Sequence, residues 1–249
     1  MKRRKKLIIY IILRLLVILS LIRQIILHNY ENAFVCIITL LLFTLPDIVK
    51  NKFKVKLPKL LESIIYIFIF GAEILGELNN FYGTIPHFDT LLHTISGFIW
   101  GGIGFSVVNL LNDKNKTVSL SPLYIALFGL CFSITSSTIW EFGEFAVDEL
   151  FAKNAQRDTV INEIHSTDLT KDNNMLNINN INKTIIYYDN DKTYEIDSGY
   201  LDIGIKDTMK DMIVGSIGAL LYSMFGYLYL TKNKYKFVKG FMLEKMESD

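Results

Sequence analysis

Eight carboxylates and one imidazole stand at the ends of apolar segments: Glu73 and Glu77, Asp89 and His93, Glu141, Glu144 and Asp148, and Asp207 and Asp211. Four of these spacings are i, i+4, which puts both members of a pair on one helical face; Glu141 precedes its neighbours by three and seven residues. So many negative charges do not stay ionised together at a membrane boundary. Either some keep their protons or the group surrounds a cation, with Arg23 as a further counter-ion. Carboxylates and one His suit Mg, Mn, Ca, Zn or iron, and carboxylates from several helices of a bundle can hold one or two metal ions. The expected chemistry is divalent-metal binding, with Glu77, Asp89, His93, Glu141, Glu144, Asp207 and Asp211 as candidate ligands.

A plainer use competes at several of these positions. Glu77, Glu144, Asp148 and Asp207 can mark helix ends just beyond the hydrocarbon, and Asp89 and Asp207 can sit in a first helical turn, stabilised by the helix dipole. His93, Glu141 and Asp211 are the combination expected to form a buried polar site, since each falls within a turn or so of the boundary, where ionisable groups are costly.

The elements that must position these groups are transmembrane helices. Residues of hydrophobic type make up 51% of 249 residues, in blocks of the roughly 20 residues that a span requires. Six blocks are predicted: Leu7 to Leu27, Ala33 to Val49, Leu60 to Leu78, Thr90 to Leu111, Leu120 to Trp140 and Asp211 to Leu230. Every second connection is basic, from Lys2–Lys6 through Lys50–Lys59, Lys114 and Lys116 to Lys232–Lys239, whereas His28 to Asn32 and Asn79 to Asp89 carry no Lys or Arg. By the positive-inside rule both termini are cytoplasmic, and all four acidic groups share the outer end of the bundle. The first block is long, contains Arg14 and Arg23 and has no Ala-x-Ala-like exit, so it reads as a span and not a cleaved signal. Cys36 and Cys131 lie inside spans without metal-type spacing and read as packing residues.

The fold class is therefore all-α, a polytopic bundle of about six spans with a small extracytoplasmic loop or β-hairpin insertion. Residues 1–150 form helices one to five, 151–206 the polar insertion, and 207–249 the sixth helix and a cytoplasmic tail. Within the insertion, Thr184 to Tyr188 and Thr193 to Ile196 are β-prone segments around Asp189, Asn190 and Asp191, a turn-forming tip; Ser166 to Asn182 reads as loop. Gly97 and Gly101 with Ser96, and Gly215 with Gly218, make small-residue faces suited to close helix packing.

Several runs resemble the YjdF-like family of bacterial membrane proteins: Gly76-Glu77-Leu78-Asn79-Asn80-Phe81-Tyr82, Phe88-Asp89-Thr90-Leu91-Leu92-His93, Trp140-Glu141-Phe142-Gly143-Glu144 with Asp148, and Gly199-Tyr200-Leu201-Asp202-Ile203-Gly204 with Asp207 and Asp211. The resemblance covers spans three to six, the first two spans matching in hydrophobicity alone. It implies a membrane location and places the acidic and His positions in the family's motif, without implying an activity.

The function expected is a carboxylate and His site at the outer face of the bacterial plasma membrane, binding a divalent metal and acting on a lipid or envelope precursor. His93 or Glu141 would be the general base. A proton- or cation-coupled transporter and a non-catalytic scaffold are the alternatives. Against transport, the inner halves of spans three to six show no comparable polar residues, Asn109 being too near the edge. No phosphate-binding glycine loop, Gly-x-Ser-x-Gly elbow or His-Glu-x-x-His motif is present. Membrane lipids are the expected partners, and nucleic acid is not.

Overall fold

The computed structural model describes residues 8–114 and 119–246, without the side chains of 113 and 114. The basic runs at Lys2–Lys6 and at Lys116, and the side chain of Lys114, lie outside the described residues. Uninterrupted Ile and Leu build α1 (Ile8–Ile26), and Asn29 caps α2 (Tyr30–Leu42) by accepting a hydrogen bond from the Asn32 amide at 3.1 Å. Pro46, in the first turn of α3 (Leu45–Phe53), divides the second apolar segment into two helices. A two-residue strand, β1 (Val55–Lys56), follows.

The third block is not one α-helix. Helix α4 (Lys59–Ile69) runs directly into a π-helix, Phe70–Leu78, whose last turn closes with an i→i−5 bond from the Asn79 amide to the Ile74 carbonyl at 3.1 Å. A short α5 (Phe81–Thr84) then leads to three long helices, α6 (Phe88–Lys114), α7 (Pro122–Phe151) and α8 (Ile205–Lys232). The latter two exceed their expected spans, α7 continuing past Trp140 and α8 beginning before Asp211. Five helical segments among the described residues are long and apolar enough to cross a membrane. The protein is thus a mostly helical, multi-pass membrane protein in contact with lipid, and residues 59–78, the third predicted block, are not among the five.

The chain divides into two compact units, Met1–Thr138 with Asp211–Asp249, and Ile139–Lys210. In the first unit, one apolar cluster joins α1, α2 and α4 through Val17, Cys36, Phe43 and Tyr66; another joins α4, α6 and α8 through Leu61, Ile99, Phe105 and Tyr222. Leu15, Leu19, Ile26, Phe34 and Leu41 face outward, as a lipid-exposed surface requires. One polar feature departs from expectation. Glu62, on the first turn of α4, takes the buried Lys50 ammonium at 2.6 Å and accepts from Tyr66 Oη at 3.3 Å, so the half of the third block expected to be free of comparable polar residues does hold a charged group, neutralised by its partner.

In the second unit, β2 (Thr159–Ile161) and β7 (Tyr200–Asp202) pair antiparallel, as do β3 (Ile164–Ser166) with β4 (Leu176–Ile178) and β5 (Lys183–Tyr188) with β6 (Lys192–Asp197). The β5–β6 hairpin has the expected tip: Asp189, Asn190 and Asp191 all take positive φ, which Asn and Asp tolerate best among residues with a Cβ. The stretch Ser166 to Asn182 is not all loop, since β4 lies within it.

Candidate metal centre

The first turn of α6 carries Asp89, and its orientation is set by the turn before it. A Cβ on Gly76 would come 2.3 Å from the Tyr82 ring, so the glycine lets that ring pack close against the π-helix. Tyr82 and Phe81 in turn meet Phe88 edge-on, with ring centroids 5.6 and 5.5 Å away. One turn on from Asp89, His93 presents Nε2 to Asp89 Oδ1 at 3.6 Å. From α8, Asp211 Oδ2 reaches the same nitrogen at 3.7 Å.

What brings α8 to α6 is glycine. A Cβ on Gly97 would lie 1.9 Å from the Gly215 carbonyl oxygen, and one on Gly218 would lie 2.0 Å from that of Thr94, so no larger residue fits at this crossing. His93 precedes Gly97 by one turn and Asp211 precedes Gly215 by one turn. The backbone contact therefore fixes how near their side chains come. Ser133 on α7 donates to the Gly97 carbonyl at 2.8 Å, tying a third helix to the crossing. Thr94 and Ser96 bond back to carbonyls of their own helix, at 2.7 Å to Thr90 and 2.9 Å to His93.

One ligand atom from each of Asp89, His93 and Asp211 lies within 4.8 Å of the other two, the arrangement among the described residues that could hold a metal ion. Asp211 is 2% exposed, and the side chains of Asp89 and His93 16% each. Ligands held tetrahedrally at 2.0–2.2 Å stand roughly 3.4 Å apart, so the two distances to the His93 nitrogen, 3.6 and 3.7 Å, need contract only slightly around an ion. One imidazole and two carboxylates are three ligands, one fewer than a closed structural zinc site uses.

The remaining predicted site residues are not part of this cluster. Glu77 is exposed at the end of the π-helix. Glu144 accepts a hydrogen bond from Trp140 Nε1 at 2.8 Å. Asp148 accepts from the Ala155 and Gln156 amides, the latter at 2.8 Å, and Asp207 accepts from the Arg157 amide at 3.2 Å with Lys210 Nζ 3.8 Å away. Glu141 is buried on α7, 3% exposed. Of the other histidines, His28, His87 and His165 are exposed. Sequence reading did not single out Asp202, a buried carboxylate that accepts from the Lys206 amide at 2.8 Å and so caps the start of α8. Its position three residues before a helix start, with Gly204 between, was the available signal.

Fold and site together define a multi-pass membrane protein with a candidate His/Asp metal centre. Residues 7–232 match the family model described as "Predicted membrane protein (DUF2238)", and the chain belongs to that family. This corrects the assignment to a YjdF-like family, and the match extends through the first two helices, which the shorter resemblance did not reach. No curated protein and no solved structure matches the chain.

Proposed function

We propose that the protein is a metal-dependent membrane enzyme whose Asp89–His93–Asp211 centre acts on a lipid or envelope precursor at the outer face of the bacterial plasma membrane. The observation that supports this reading is the convergence of one imidazole and two carboxylates, from two helices, on a space the size of a divalent ion. A bound divalent ion would supply Lewis acidity and a water of lowered pKa. Asp89 and Asp211 would hold it, and His93 would complete the set. Glu77, Glu141, Glu144 and Asp207 are not among the ligands proposed.

Topology supports the outer placement. The basic connection Lys50–Lys59 and the tail Lys232–Lys239 are cytoplasmic by the positive-inside rule. Strand β8 (Glu244–Lys245) pairs with β1, Val55 opposite Lys245 and Lys56 opposite Glu244, which keeps both segments on one side. Three crossings by α6, α7 and α8 would separate them; residues 59–78 supply the fourth, so the crossings total six and both termini are cytoplasmic.

The test is elemental analysis of the purified protein beside Asp89→Asn and His93→Ala, followed by turnover of a labelled phospholipid or polyprenyl-linked precursor with the metal restored. Metal bound by the wild type and lost in both variants is the expected result. Equal, near-zero metal in all three overturns the proposal, and substrate-independent ion flux in proteoliposomes would move the centre to a transporter.

A further inference from the structure

The segment after α8 does not trail away. Asn233 and Tyr235, both at positive φ, reverse the chain, and Lys236–Phe241 forms a 3₁₀ turn before β8. Val238, Phe241 and Leu243 are buried in the cluster that contains Leu61, Phe105 and Tyr222. Gly240 passes so close that a Cβ there would come 2.7 Å from Leu60 Cδ2.

Polar groups of the strap are matched as tightly as its apolar ones. The Leu243 amide donates to Ser106 Oγ on α6, a hydroxyl 1% exposed, and Tyr222 Oη on α8 donates to the Val238 carbonyl at 3.5 Å. Lys56 Nζ pairs with Glu244, and the Met246 amide donates to the Lys54 carbonyl at 3.3 Å. A terminal segment that is not tied down normally frays; this one is held by α4, α6, α8 and β1 together.

Its place along the helices is the informative fact. Ser106 follows His93 by thirteen residues and Tyr222 follows Asp211 by eleven, so at 1.5 Å per residue the strap sits about 16–20 Å along the bundle from the candidate centre. We infer that residues 235–246 are a latch that seals the end of the bundle remote from Asp89, His93 and Asp211, so that a cation held there exchanges with one side of the membrane only. The exchange half of this inference rests on the metal reading above; the seal does not.

The seal is read by cysteine labelling in the full chain. Ser106→Cys is placed in a Cys131→Ser background, Cys36 being fully buried, with the exposed Asn51→Cys as reference. A membrane-impermeant maleimide should label Ser106→Cys at least about tenfold more slowly than Asn51→Cys, and adding Gly240→Trp, which wedges the strap off Leu60, should remove most of that protection. Ser106→Cys reacting as fast as Asn51→Cys overturns the latch. So does protection that survives both Gly240→Trp and Leu243→Pro, the second of which deletes the amide bonded to Ser106, because the helices alone would then form the seal. For exchange, Zn(II)-loaded protein in right-side-out and inverted vesicles is treated with EDTA. Zinc stripped from one orientation only is expected, and equal stripping from both overturns the single mouth. A wild type that binds no zinc overturns the metal reading and leaves the labelling result to decide the latch.

Discussion

Asp207 and Asp211 stand one turn apart on the same helix, yet they do different work. Asp207 accepts from the Arg157 amide and has Lys210 beside it, within the unit formed by residues 139–210. Asp211, in the other unit, is buried and turns its carboxylate to His93. The same division separates Asp148 and Asp202, which take backbone amides, from Asp89, which faces the imidazole. In the 139–210 unit Asp148, Asp202 and Asp207 organise loops and a helix start; at the α6–α8 crossing Asp89 and Asp211 converge on one imidazole. The difference lies in what stands opposite each carboxylate. An amide satisfies it, whereas another carboxylate and an imidazole leave room for a cation.

The comparison makes its strongest demand at the crossing. Asp211→Asn should lower zinc affinity by at least about a hundredfold, since a direct ligand is worth no less than the outer partners that typically cost ten- to a hundredfold; isothermal titration measures it, and affinity within a few-fold of wild type would break the distinction. Gly97→Ala comes next. Its methyl would have to displace the Gly215 carbonyl, so it should cost about 1–3 kcal/mol of stability and weaken zinc binding by roughly tenfold without touching a ligand. A thermal-shift series with and without zinc separates the two effects.

Asp148→Ala sharpens the other side of the comparison. Losing the acceptor for two amides should cost about 1–2 kcal/mol with zinc affinity unchanged, and a loss of affinity matching that of Asp211→Asn would put Asp148 among the ligands. The smallest effect concerns pH. Lys56 beside Glu244 holds its carboxyl below the ordinary value of 4.5. A lowered folded-state pKa stabilises above the unfolded value and is lost as pH falls through the folded one, so the melting temperature of the wild type should drop more than that of Glu244→Gln on acidification below about pH 4.5. Because the pair is exposed, the difference will be small, and parallel acid profiles would remove the ion pair from the latch.

Much of the architecture was legible because its causes are local. Hydropathy blocks reported the helices, since a span needs only a sufficient apolar length, and the Asp189-Asn190-Asp191 tip reported the hairpin, since positive φ selects those side chains. The small-residue faces at Gly97 and Gly215 were visible as spacing, although not as partners of each other. Other features left weaker traces. The π-helix at Phe70–Leu78 has no signature in periodicity over so few residues. The Lys50–Glu62 pair joins residues twelve apart across a loop, and the strap showed only as Phe237, Val238, Phe241 and Leu243 after the last span.

By itself the sequence determined that this chain enters the membrane many times, and which few ionisable groups stand at the ends of its helices. It could not choose among those groups, because an acid in a first helical turn has the same spacing whether it caps an amide or binds an ion. Tertiary structure gathers three of them into one candidate cluster where two glycines allow α6 and α8 to touch, bringing Asp211 to His93 and Asp89.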